Sequence, residues 1–299
     1  MNVSARAGKP RHQPLEGEEH RPLFLVGQPT IVSLTFDDGW SSQYTLRSML
    51  ARHGMHGTFY VNSGRVGQPG MMTWSQLFDL AADGNEIGGH TIDHVKLTTV
   101  SEREALRQIA DDREALMGHG FTVTNFAYPN GDFNTNVEAI VQACGYSSAR
   151  RAWGLSPIDR TRPNCHKWYP DVAEEILPLN RYAIRTTCLS SGNTVAELKN
   201  LVTRAERNGG GWVTLVFHQV GYRAGADNGY FVSLILLRRF LEWLERRADR
   251  GTLVLTVRDT LATVRPSAAL RDRLSSPHGA QPQFRDESAR SARKAASAS

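Results

Sequence analysis

The stretch that decides the fold reads Thr30-Ile31-Val32-Ser33-Leu34-Thr35-Phe36-Asp37-Asp38-Gly39-Trp40. Its first seven residues are apolar or β-branched, which predicts a buried strand. Two adjacent carboxylates and a glycine end that strand abruptly. Acids in such a place are costly unless something compensates them. The available compensations are solvent at the mouth of a barrel, or a metal ion.

From this strand outward, helix-like and strand-like segments alternate. Further strands are expected over 57–62, 86–89, 122–127, 146–149, 182–187, 212–217 and 252–257. Helices are expected over 41–53, 73–82, 101–119, 134–144, 194–207, 232–250 and 259–264. Thr73 stands where an N-cap belongs, as does Thr194 or Asn193, and Ser101 and Glu104 have capping-box spacing. Residues 150–180, with Pro157, Pro163, Pro170 and Pro178, are expected to be irregular. Nearly continuous apolar strands alternating with helices predict parallel strands, in a barrel or a doubly wound sheet. Polar chemistry gathers at the C-terminal ends of the strands, at Asp37-Asp38, His90, Tyr128-Pro129-Asn130 and His218. That placement favours a (β/α) barrel.

Composition narrows the function classes. No apolar run approaches the ~20 residues that cross a bilayer, so no membrane partner is expected. The N-terminus has basic residues but no apolar stretch after them, unlike a secretory signal. Cys144, Cys165 and Cys188 are odd in number and far apart, which fits a reducing compartment, so a cytoplasmic location is expected. The net charge of +5 sits mainly outside the centre of the chain. Residues 1–22 contribute +1, four basic residues against three acidic. Residues 265–299 contribute +4, seven basic against three acidic. Few aromatics interleave these charges, so no nucleic-acid partner is expected. The expected organisation is a flexible segment over 1–22, one barrel domain over 23–265, and a disordered Ser/Ala/Arg-rich tail over 266–299.

The second chemical feature is Gly88-Gly89-His90-Thr91-Ile92-Asp93-His94. Two histidines at i and i+4 lie on one face if the segment is helical, and can also converge in a tight loop. Joined by a carboxylate from another strand end, they make a set suited to Zn²⁺ or another divalent ion with an open position. Thr91 is a candidate for fixing the loop through its hydroxyl. His218 closes the apolar strand 212–217 at the same mouth and is a candidate proton donor. Glu86 reads as structural. Cys165 beside His166 has nothing nearby to complete a nucleophilic triad.

With these motifs in order, the chain resembles the polysaccharide deacetylase family (carbohydrate esterase family four). That family's T-F-D-D-G motif is matched by Thr35-Phe36-Asp37-Asp38-Gly39, and its H-[ST]-x-x-H motif by His90, Thr91 and His94. Val216-Phe217-His218 meets its late L-x-H motif loosely. The resemblance covers roughly residues 28–264 and implies a single distorted (β/α) TIM-like barrel with about seven parallel strands. It implies one divalent metal, zinc first, with Co, Ni, Mn or Fe as alternatives. It makes Asp38, His90 and His94 the metal ligands, Asp37 the general base and His218 the general acid. Val216 would line the acyl pocket, and the Asn130 backbone N–H would serve the oxyanion. Trp40 and Tyr128 are candidate substrate contacts.

The departures from the family pattern are as informative. The third motif, R-x-P-[YF], reads Ala127-Tyr128-Pro129-Asn130 here, so the arginine that orients the base is absent. A D-x-x-D-W motif is not visible; Arg150, Arg151, Trp153, Asp159, Arg160, Asn164, His166 and Trp168 occupy its region. Either Arg150 or Arg151 is a candidate replacement for the arginine, with a surface ion pair as the competing reading. The expected function is metal-dependent N-deacetylation of a small N-acylated substrate, amino-sugar-containing or a biosynthetic intermediate. The alternatives are a related C–N hydrolase (a deformylase, or an imidase or ureide hydrolase) and a non-catalytic carbohydrate-binding barrel.

Overall fold

A computed structural model describes residues 28–155, 171–222 and 229–263. The expectations for the N-terminal segment, the C-terminal tail, the Cys165–His166 pair and residues 156–170 lie outside the described residues.

In chain order the elements are β1 (Thr30–Phe36), α1 (Leu46–Arg52), β2 (Thr58–Val61), α2 (Trp74–Ala82), β3 (Glu86–Gly89), α3 (Glu102–Gly118), β4 (Asn125–Ala127) and α4 (Thr135–Ala143). There follow β5 (Ser148–Gly154), β6 (Ile184–Cys188), α5 (Val195–Arg207), β7 (Gly211–Phe217), β8 (Gln219–Gly221), β9 (Phe231–Ser233), α6 (Leu234–Glu245), β10 (Thr252–Val254) and α7 (Val257–Thr263). Strands β1 to β7 pair in sequence order, and β7 pairs back onto β1 along its whole length. All of these pairings are parallel, so seven strands close a barrel.

The distortion lies at β1. Its first residues pair with β10 (Thr30↔Thr252 to Val32↔Val254), whereas Thr35 and Phe36 pair with β2. Both neighbours therefore use the same edge of β1, with β10 wedged in at the N-terminal end of the strand.

Side chains alternate between the faces of each strand. The outward set of β1 (Val32, Leu34, Phe36) packs with Leu46 and Leu50 of α1 and with residues of the neighbouring strands. Phe36 stacks between Phe59 and Phe217, with ring centroids 4.7 and 5.3 Å away. The inward set is polar to an unusual degree. Ser33, Thr35, Thr58, Glu86, Asn125, Ser148, Arg150, Thr186 and Thr214 are all buried. Glu86 anchors the layer at the N-terminal ends of the strands. It accepts from Thr58 Oγ1 at 2.9 Å, from the Asn125 amide, and from the Arg258 backbone N–H at 2.9 Å. Burial pushes its carboxyl above the usual range, against the pull of those donors.

Local signals are met at Thr73 and Thr194, which both complete capping boxes, with Gln76 and Glu197. At Ser101 the side chain accepts from Glu104 N, while the Glu104 carboxylate pairs with Arg107. Among the boundaries that differ from expectation, three stand out. The segment 41–53 begins as a 3-10 turn before α1. Residues 232 and 233, expected to open a helix, belong instead to β9, which pairs with β8. Most consequential, β5 continues to Gly154 instead of stopping at Ala149. Two consecutive arginines do not read as a buried strand, yet here one of them points into a polar barrel interior.

Candidate metal centre

The mouth is built where β1, β3 and β7 end. Asp37 continues the ladder, its N–H donating to Phe217 O at 2.9 Å. Asp38 then turns into the left-handed region (φ 73°), followed by Gly39 (φ 74°). An aspartate tolerates that conformation better than most residues. The turn separates the two acids, so that Asp37 meets the barrel interior and Asp38 meets the histidines.

Asp38 Oδ1 lies 3.5 Å from His90 Nε2 and 3.3 Å from His94 Nε2. One ligand atom from each residue falls within 4.8 Å of the others. A tetrahedral ion with bonds of about 2.0–2.1 Å separates its ligands by about 3.3 Å, so the set fits a small divalent ion. Asp38 Oδ1 is also buried with no hydrogen-bond partner among the described residues. A buried carboxylate oxygen in that state calls for a cation.

The neighbouring groups fix the ligands. Trp40 Nε1 donates to Asp38 Oδ2 at 2.9 Å, leaving Oδ1 for the histidines. The His90 Nδ1 faces the Ala127 carbonyl at 2.7 Å, which assigns that nitrogen its proton and leaves Nε2 as the ligand atom. Thr91 Oγ1 accepts from His94 N at 3.0 Å. The electrostatics follow. Burial works to raise the Asp38 carboxyl, but the facing His90, with His218 and His94, holds it well below the usual range. Burial opposes a charge on His90 and is outweighed by Asp38 and Asp37, so its pKa lies above the ordinary value. Burial and the neighbouring His90 push His94 down to about 4.

Asp37 is 3% exposed and pairs with the Arg150 guanidinium from β5. Arg150, 1% exposed, lies over the Tyr60 ring at 4.4 Å. The arginine missing at Ala127 thus has a counterpart on the next strand. Gln43, not singled out from sequence, donates to the backbone carbonyls of both Asp37 (2.6 Å) and His218 (2.9 Å). It ties the ends of β1 and β7 together. Its signal in the sequence is nil, because a lone glutamine after a turn has no distinguishing pattern. The His218 ring approaches Tyr230, with centroids 5.0 Å apart, and its Nδ1 is buried without a hydrogen bond among the described residues.

The other candidates divide. Asn130, in the short turn after β4, adopts the left-handed conformation (φ 56°) and is exposed. Val216 is wholly buried in β7. Tyr128 is corrected: its side chain is 1% exposed, stacks on Phe133 at 4.7 Å and donates to Tyr182 O at 2.9 Å, so it packs beneath the loop and does not line the mouth. Trp40 touches a ligand, and its indole N–H is committed to Asp38.

Fold and site together define a closed (β/α) barrel with an Asp-His-His set that could hold a metal ion and a second, arginine-paired carboxylate beside it. The family model for polysaccharide deacetylase matches residues 26–149. Peptidoglycan-N-acetylglucosamine deacetylase PgdA of Listeria monocytogenes serotype 1/2a (strain 10403S) is 33% identical over 110 residues, 36% of this chain and 22% of that protein. A peptidoglycan-N-acetylglucosamine deacetylase of Bacillus cereus is 23% identical over 187 residues, 62% of this chain and 86% of the relative. Among solved structures, the Xyl-CE4 domain of a multidomain xylanase from the hindgut metagenome of Trinervitermes trinervoides shares the fold. Its TM-score is 0.53 at 18% identity, covering 80% of this chain and 94% of that one. The matches span half or less of the length of the first curated relatives. Over residues 26–149 the chain is similar to the polysaccharide deacetylase family. No helix among the described residues is long and apolar enough to cross a membrane.

Proposed function

We propose that this protein is a hydrolase of carbon–nitrogen bonds that removes an N-acetyl group from an amino-sugar-containing substrate. The observation that carries the reading is the juxtaposition at one barrel mouth of Asp38, His90 and His94 with the separately held carboxylate of Asp37. Asp38, His90 and His94 would hold the ion, zinc first for a donor set of two imidazoles and one carboxylate. An ion there supplies a Lewis acid for the amide carbonyl and makes water a competent nucleophile at neutral pH.

The chain's own groups do the remaining work. Asp37 accepts the proton of the attacking water, while Arg150 holds its carboxylate in one orientation. His218 delivers a proton to the departing amine nitrogen, without which an amine is a poor leaving group. The Asn130 backbone N–H would meet the developing oxyanion. Residues 23–265 are the catalytic domain in this reading. The finer part is a small N-acylated substrate met in the cytoplasm; the relatives named as peptidoglycan deacetylases make a glycan polymer the competing substrate.

The test is acetate release by metal-loaded protein from small N-acetylated amino-sugar conjugates, chito-oligosaccharides and peptidoglycan, run side by side. Acetate release that stops with a chelator, and stops in an Asp37→Asn variant retaining its metal, is the expected result. Preference for the polymers refutes the small-substrate part. Formate release moves the reading to a deformylase. Metal and ligand binding with neither product moves it to imidase chemistry or a binding barrel.

A further inference from the structure

Helix α3 buries Ala105, Gln108, Ile109, Asp112 and Leu116 along one stripe. The apolar members are what packing requires; a glutamine and a fully buried aspartate are not. Asp112 has no ion-pair partner among the described residues, and burial pushes its carboxyl up to about 6. Its two oxygens accept backbone N–H groups instead. Oδ1 takes Ser63 N at 2.9 Å, and Oδ2 takes His90 N at 3.0 Å.

One turn earlier, Gln108 holds the next part of the same segment. Its Oε1 accepts from Asp93 N at 3.0 Å, its Nε2 donates to Asp93 Oδ2 at 2.8 Å, and its backbone carbonyl accepts from Ile92 N at 3.2 Å. From the opposite side, the Asn62 amide donates to the carbonyls of His90 and Thr91. The segment 90–94 is therefore wired on both sides.

It needs that wiring. Thr91 (φ 69°) and His94 (φ 61°) both adopt the left-handed conformation, and Thr91 is β-branched. Such a conformation is disfavoured for side chains of this kind, whose Cβ crowds the following carbonyl oxygen. A loop free to relax would abandon it, and the two imidazoles would swing apart.

We infer that Asp112 and Gln108 are positioning residues for the metal site, holding the 90–94 segment so that His90 and His94 face Asp38 before an ion arrives. This rests on the reading of Asp38, His90 and His94 as the ligand set. Pre-organisation lowers the ordering cost of binding, so the effect belongs to ion affinity. Gly89 is part of the device: a Cβ there would sit 2.9 Å from Asp112 Oδ2.

The test is Co²⁺ binding to full-length metal-free protein, by competition with a chelator and by the d–d absorption spectrum. Asp112→Asn keeps the shape but sets an amide NH₂ against one of the two backbone donors. Its Co²⁺ affinity should fall by roughly 10–100-fold with an altered spectrum, as for other groups that orient metal ligands. Gln108→Met should shift both readouts in the same direction by less. Ile109→Val, on the same stripe, should lower the unfolding midpoint and leave both readouts unchanged. Wild-type affinity and spectrum in Asp112→Asn and Gln108→Met overturn the inference. Should Asp112→Asn fail to fold, Gln108→Met alone decides. A wild-type protein that takes up no ion overturns the ligand set itself, a result distinct from ion binding that ignores α3.

Discussion

Replacing Arg150 by methionine tests whether the base of this site is held by a cross-barrel ion pair. Methionine retains an unbranched stem over the Tyr60 ring and removes the guanidinium that faces Asp37. Both partners are almost wholly buried, at 1% and 3% exposure. Breaking such a pair from one side typically costs about 3–5 kcal/mol, because the remaining charge is uncompensated. The lost cation–π contact adds about 0.5–2 kcal/mol.

Urea unfolding of metal-free wild-type and variant protein at pH 7 should show a midpoint lowered by a loss of that size, with unchanged m. Acetate release should fall by about 10²–10⁴-fold, the usual contribution of a general base. An equal midpoint at pH 7 or near wild-type turnover would each refute the pairing argument.

Two further perturbations probe the ligand shell. Trp40→Phe removes the indole N–H that holds Asp38 Oδ2 at 2.9 Å and keeps an aromatic ring; isothermal titration should show metal affinity weakened by roughly tenfold. Gly89→Ala drives a Cβ into the Tyr146 hydroxyl and should cost about 1–3 kcal/mol by urea unfolding, part of it recovered by adding Tyr146→Phe.

Much of the site was legible because its chemistry is written in short local strings. A strand that ends in two carboxylates, and two histidines four residues apart, declare themselves without knowledge of the fold. The register of β1 against β7 then brings His218 to the mouth that Asp37 and Asp38 occupy. The caps at Thr73 and Thr194 are equally local, since each needs only its own first turn.

Other features depend on which strands become neighbours. Arg150 could be paired with Asp37 only once β5 was known to extend past Ala149 and the barrel had closed. Tyr128, adjacent to the loop in sequence, turned inward because Phe133 and Tyr182 offered it a packed face and an acceptor. Gln43, Gln108 and Asp112 carry no motif, and each acts on backbone groups brought near by folding. The sequence by itself determined the alternation that makes a parallel barrel and the identity of the acids and histidines at its mouth. Tertiary structure alone decided what holds them, because hydrogen bonds across a closed barrel join residues with no fixed spacing along the chain.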